Sequence, residues 1–115
     1  MKLKKQYDCN LVMMNDLIGG KWKLRILWHI MNGDNRFSML EKTIDGITPK
    51  VLMSQLNEME ESGLILKHVL VSTPPKVVVY EINPEYSGIC EIVNIAHSFS
   101  RMYGTKNNID ILTKK

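Results

Sequence analysis

The stretch Ser38-Met39-Leu40-Glu41-Lys42-Thr43-Ile44-Asp45-Gly46-Ile47-Thr48-Pro49-Lys50-Val51-Leu52-Met53-Ser54-Gln55-Leu56-Asn57-Glu58-Met59 reads as two helices joined by a tight turn. Ser38 and Glu41 have the spacing of a capping box, in which a hydroxyl and a carboxylate each satisfy a free backbone N–H at a helix start. That predicts a short helix ending near Ile44. Asp45-Gly46 then turns the chain, and Thr48-Pro49 is an N-cap followed by a proline whose missing N–H costs nothing there. In the helix that follows, Leu52, Leu56 and Met59 share one stripe, while Lys50, Met53, Ser54 and Asn57 lie on the other side. Ser62-Gly63 supplies its stop.

Outward from this pair the chain keeps the same grammar. Upstream, Leu11, Met14, Leu17 and Ile18 recur at helical spacing up to Gly19-Gly20, and Trp22, Ile26, Leu27 and Ile30 form a second stripe closed by Asn32-Gly33-Asp34-Asn35. Downstream, Leu64 to Val71 and Lys76 to Ile82 are rich in β-branched residues and flank Ser72-Thr73-Pro74-Pro75, which predicts an antiparallel hairpin. Asn83-Pro84 repeats the cap-plus-proline signal and opens a last helix to about Tyr103, with Ile89, Ile92, Val93, Ala96 and Phe99 on its apolar stripe. Four helices, a hairpin and a helix make an α+β, mostly helical chain. The order is that of a winged helix-turn-helix with extra N- and C-terminal helices.

Length and composition set the frame. With 115 residues, 44% of them hydrophobic, the chain suits one domain, and its net charge of +3 suits nucleic acid without requiring it. No apolar run nears the roughly 20 residues of a membrane span, and the opening Met-Lys-Leu-Lys-Lys leads into no signal-peptide core, so no membrane partner and a cytoplasmic location are expected. Cys9 and Cys90 are too far apart for a Cys-x-x-Cys site, and His29, His68 and His97 show no ligand spacing. No metal and no cofactor are expected.

A recognition helix must turn hydrogen-bonding side chains away from its own core, toward base edges in the major groove. Thr48, Lys50, Ser54 and Asn57 are hydrogen-bonding types placed for that role, with Pro49 and Met53 as further contact candidates and double-stranded DNA as the partner. Lys76 beside the Pro-Pro loop, Arg36 and Ser38 before the short helix, and Lys2, Lys4 and Lys5 of the arm are further candidates for phosphate or groove contacts. Any single Lys or Ser is more often a solvated surface residue; the collective pattern carries the reading. Glu58, Glu60 and Glu61 would repel phosphate, so only the first two turns of this helix should meet the groove.

At Asp16-Leu17-Ile18-Gly19-Gly20-Lys21-Trp22-Lys23 the chain closely resembles the HxlR family of winged-helix regulators. The likeness continues through Ile26-Leu27-Trp28-His29, Arg36-Phe37-Ser38, Gly46-Ile47-Thr48, Gln55-Leu56 with Glu58 and Glu60, Gly63-Leu64, and Pro74-Pro75-Lys76-Val77 with Tyr80. It covers about Cys9 to Tyr103. The resemblance implies a transcriptional regulator and not an enzyme, working as a homodimer joined through the first and last helices, with the fourth helix of each subunit on half of an inverted repeat. Leu11, Met14, Ile89, Ile92, Val93, Ala96 and Phe99 are the candidate interface residues. The expected organisation is a flexible arm over 1–8, a DNA-binding and dimerisation domain over 9–103, and a tail over 104–115. The chain departs from the family at Asn10, where proline is usual, at Tyr86, where glycine is common, and in a wing one residue longer between Pro75 and Tyr80, which invites a bulge.

Cys9 occupies the position of the thiol that some family members use to sense oxidants or electrophiles, which makes a redox or small-molecule effector a candidate input. A structural thiol is an equal reading, since Asp8 disfavours the thiolate. Cys90, Trp22, Trp28 and the scattered methionines are expected in the core. Two other function classes compete. A thiol-based redox enzyme would rest on Cys9 alone and would turn over peroxide. A winged-helix module that binds protein instead of DNA would lack the steep salt dependence of phosphate contacts.

Overall fold

The computed structural model describes residues 2–112. Five α-helices, α1 (Asn10–Ile18), α2 (Lys23–Met31), α3 (Phe37–Thr43), α4 (Pro49–Glu61) and α5 (Gly88–Lys106), accompany an antiparallel pair of strands, β1 (Ile65–Val71) and β2 (Val77–Ile82). A single 3-10 turn, Pro84–Tyr86, precedes α5. Among the described residues no helix is long and apolar enough to cross a membrane.

The core forms where the predicted stripes converge. Ile26 and Leu27 of α2, Leu40 of α3, Leu52, Leu56 and Met59 of α4 and Ile65 of β1 are wholly buried, and Ile89 and Val93 bring α5 onto them. Each such side chain removed from water stabilises the fold by about 1.5 to 3 kcal/mol before chain entropy is counted. Trp22 packs beside the turn between α3 and α4, where Gly46 adopts φ 84°; a Cβ on Gly46 would lie 4.0 Å from Cη2 of the indole. The α4 cap forms as expected, with the Thr48 hydroxyl accepting from Val51 N at 3.2 Å. At its other end Leu64 N donates to Met59 O and Gly63 N to Glu60 O, a Schellman stop with Gly63 in the left-handed position.

Three local expectations are corrected. The Ser38–Glu41 capping box does not form: α3 starts two residues earlier than that box requires, at Phe37, with extended Arg36 as its uncapped N-cap, so Ser38 already lies inside the first turn. Asn83-Pro84 opens the 3-10 turn and not the last helix, because the Asn83 carboxamide caps Glu85 N while its amide donates to Gly63 O, which pins this segment against the end of α4. The helix proper begins at Gly88 and runs to Lys106, three residues beyond the anticipated Tyr103. The hairpin carries its irregularity on β1: Val69 pairs with Val78 and Val71 with Val77, leaving Leu70 as the extra residue. The extra residue of the ladder therefore lies on β1 and not in the 75–80 segment, where the sequence suggested a bulge.

Candidate nucleic-acid interface

The polar face of α4 is a direct consequence of its packing. Leu52, Leu56 and Met59 are 0% exposed, and at about 100° per residue Lys50, Met53, Ser54 and Asn57 fall roughly opposite them. All four are exposed, as are Thr48 and Pro49 at the helix start. The exposed side and start of α4 therefore collect six of the residues singled out from the sequence. Backbone N–H groups of the first turn add a partial positive charge at the same end, which suits a phosphate.

The acidic end of α4 is handled in two ways. Glu58 turns inward and pairs with Lys23 of α2, Nζ to Oε1 at 3.0 Å, with the lysine side chain only 5% exposed. Glu60 and Glu61 stay in solvent, and Glu61 lies one turn beyond Asn57 on the same side. A duplex against this face must therefore meet the N-terminal turns of α4 and diverge from its C-terminal end.

Arg36 and Ser38 are exposed at the start of α3, and Lys76 is exposed at the base of the hairpin tip. The framework holding them is polar and buried. His29 Nδ1 lies 2.9 Å from Asp34 Oδ2 and 3.3 Å from the Thr43 hydroxyl, tying α2 to the turn before α3 and to the end of α3. One residue on, Asn35 O accepts from Tyr80 N at 2.8 Å, so the strand bearing the wing is anchored beside Arg36. Burial, with help from Glu60, raises the Tyr80 hydroxyl above its ordinary pKa of 10.0. Sequence reading missed these ties. His29 and Asp34 are five residues apart and Lys23 and Glu58 thirty-five, spacings that no local motif records.

Cys9 is exposed at the N-cap of α1, its carbonyl accepting from Val12 N and Met13 N. The segment before it folds back: the Tyr7 hydroxyl donates to buried Asp16 at 2.7 Å and accepts from Lys4 N at 2.9 Å. The hydrogen bond to Asp16 holds the Tyr7 hydroxyl above its ordinary pKa. Cys90 is half-buried. No group of three metal-ligating side chains occurs among the described residues.

Two other helices expose apolar side chains instead. Leu11 is 77% exposed and Val12 45% on α1; on α5, Ile95 is 69% and Phe99 58% exposed, with Ile92, Met102 and Tyr103 beside them. Of the stripe anticipated on the last helix, Ile89 and Val93 lie in the core of the same chain, Ala96 is half-buried, and Ile92 and Phe99 face outward. Met14 of α1 is half-buried against the core.

Comparison with known proteins adds sequence and structural relatives. Residues 17–108 match the family model described as HxlR-like helix-turn-helix. The regulatory protein MalR of Fusobacterium mortiferum is 36% identical over 102 residues, which are 88% of this chain and 95% of that one. The HTH-type transcriptional regulator YtcD of Bacillus subtilis is 38% identical over 107 residues, 88% of this chain and 83% of that one. A crystal structure of YtcD superimposes with a TM-score of 0.75 at 30% identity, covering 83% of this chain and 96% of that chain. The redox regulator HypR in its oxidised form superimposes with a TM-score of 0.72 at 28% identity, covering 90% of this chain and all of that one.

Proposed function

Because the chain belongs to the HxlR-like helix-turn-helix family of DNA-binding transcriptional regulators, we propose that it acts as a homodimer that places α4 of each subunit in the major groove over half of an inverted-repeat operator. The observation that carries this reading is the α4 surface: a capped helix whose core stripe is wholly buried and whose opposite face presents Lys50, Ser54 and Asn57 to solvent. Lys50 and Asn57 are the base-reading candidates, Lys to guanine and Asn to adenine edges, while Arg36, Ser38 and Lys76 serve phosphates on either side. The Lys23–Glu58 pair supports the geometry by turning a carboxylate away from the duplex.

Pairing of subunits is supported by the apolar surface of α1 and α5. Leu11 on α1 and Ile92, Ile95 and Phe99 on α5 leave large apolar side chains in water, and a two-fold contact between copies would cover them. Cys9 opens the helix that carries Leu11, so an adduct on its thiol alters the surface on which the subunits pair. That geometry supports a switch responsive to oxidants or electrophiles, working by adduct formation in preference to a disulfide.

The test is selection of bound sequences from a random duplex pool, followed by titration of Lys50→Ala and Asn57→Ala. Each variant is expected to keep its fold and lose about 1 to 3 kcal/mol of specific binding. Unchanged operator affinity in both would remove α4 from the reading role. Treating wild type and Cys9→Ser with a quinone then checks the switch, and equal loss of binding by the two proteins would make Cys9 structural.

A further inference from the structure

The side of α5 turned away from the apolar stripe bounds an open cleft of ≈ 950 Å³, closed on its other sides by α2 and by residues 108–111. The wall opposite α2 exists because the chain folds back after α5. Ile109 N donates to Gly104 O, Asn108 takes the left-handed conformation, and Gly104 lets the returning strand approach, since a Cβ there would lie 3.3 Å from Ile109 O. The volume is within the range of roughly 300 to 1,000 Å³ typical of small-molecule sites.

Three features of the lining point to one ligand chemistry. Trp28 of α2 and His97 of α5 stack in parallel at 3.9 Å, giving an aromatic wall. The indole Nε1 of Trp28 is buried and has no hydrogen-bond partner among the described residues, a donor the fold leaves without an acceptor. Arg25 and Arg101 line the same cleft, and neither has a carboxylate partner among the described residues, although Asp110 lines it too. We propose that this cleft binds a small planar aromatic anion, its ring packed on the Trp28–His97 pair and its carboxylate or phenolate met by Arg25 and Arg101.

Pairing through the α5 stripe leaves the cleft accessible. On a helix of about 100° per residue, the lining positions centre roughly 150° around the axis from Ile92, Ile95, Phe99, Met102 and Tyr103. The ligand would bear on α2, and α2 is tied to both helices of the helix-turn-helix: to α4 through Lys23–Glu58 and to α3 through His29 and Thr43. An occupied cleft therefore changes operator affinity, a consequence that rests on the regulator reading, whereas binding itself does not.

The full-length chain without DNA is titrated with 2-naphthoate, with its neutral amide 2-naphthamide, and with the non-planar anion cyclohexanecarboxylate, read by calorimetry and by the Trp28 indole N–H resonance. Naphthoate is expected to bind below about 1 mM and about tenfold or more tighter than the other two, and to shift the Trp28 resonance but not that of Trp22. The Arg25→Gln/Arg101→Gln double variant, altered at solvent-accessible sites, loses about tenfold or more of that affinity while its binding of the amide is unchanged. Naphthoate that binds no tighter than the amide, equally well to the double variant, or not at all to about 5 mM overturns the site. With naphthoate bound, operator affinity should change by about threefold or more; an unchanged value overturns the coupling through α2 and leaves the site standing. Absence of any operator would overturn the regulator reading alone.

Discussion

Helices α4 and α5 each bury one side against the same core and leave the other in water, yet the two exposed sides differ in chemistry. Outward from α4 come Lys50, Ser54 and Asn57; outward from α5 come Ile92, Ile95 and Phe99. Water solvates the first at little cost and the second at a penalty that grows with apolar area. The polar face is stable alone, whereas the apolar face would be stabilised by being covered. The two helix faces are therefore distinguished by what solvent does to them before any partner arrives.

The largest effect expected from this contrast is on pairing. Ile95→Asp combined with Phe99→Asp removes four exposed apolar side chains from a two-fold contact, on the order of 6 kcal/mol or more if each contributes about 1.5. Sedimentation at micromolar concentration should then show a folded monomer with no specific operator binding. A variant that remains dimeric would place the contact elsewhere and break the comparison.

Next in size is a pair of neighbours on opposite sides of α4. Leu56 is 0% exposed, so Leu56→Ala should lower unfolding stability by about 2 to 5 kcal/mol in denaturant titration. The adjacent Asn57→Ala should leave the unfolding midpoint within about 0.5 kcal/mol of wild type. Equal destabilisation by the two would mean that the α4 surface is not free.

Smaller still is the cap. Replacing Thr48, whose hydroxyl accepts from Val51 N, by Ala should cost about 1 kcal/mol of stability, measurable as a lower melting temperature. Ser38→Ala should cost less, because Ser38 caps nothing. The least effect on the fold is expected from Lys76→Ala at the exposed wing: the slope of log affinity against log salt should fall by about 1 with no change in preferred sequence. A changed preference would move Lys76 from phosphate contact to base reading.

How far the chain could be read in advance follows from the range of each interaction. The helix-turn-helix, the α4 cap and stop and the hairpin were legible because caps, proline and stripe periodicity act within a turn or two of the backbone. The same locality produced the errors. Ser38–Glu41 satisfies the spacing of a capping box, yet the helix starts at Phe37; Asn83-Pro84 satisfies that of a helix start, yet the contact of Asn83 with Gly63 holds it in a 3-10 turn. A stripe such as Ile89, Ile92, Val93, Ala96 and Phe99 has one period whether it faces its own core or another chain. Only packing separates buried Ile89 and Val93 from exposed Ile92 and Phe99.

By itself the sequence determined the order of elements, the polarity of the two faces of α4, and the family likeness carried by Gly19-Gly20-Lys21-Trp22, because these are properties of neighbours along the chain. Tertiary structure alone decided that Lys23 pairs with Glu58, that His29 joins α2 to α3, and that Trp28 meets His97 beside two arginines, its indole N–H without an acceptor among the described residues. Those partners are brought together by the shape of a shared core, and each depends on burial in an environment of low dielectric that no spacing along the chain encodes.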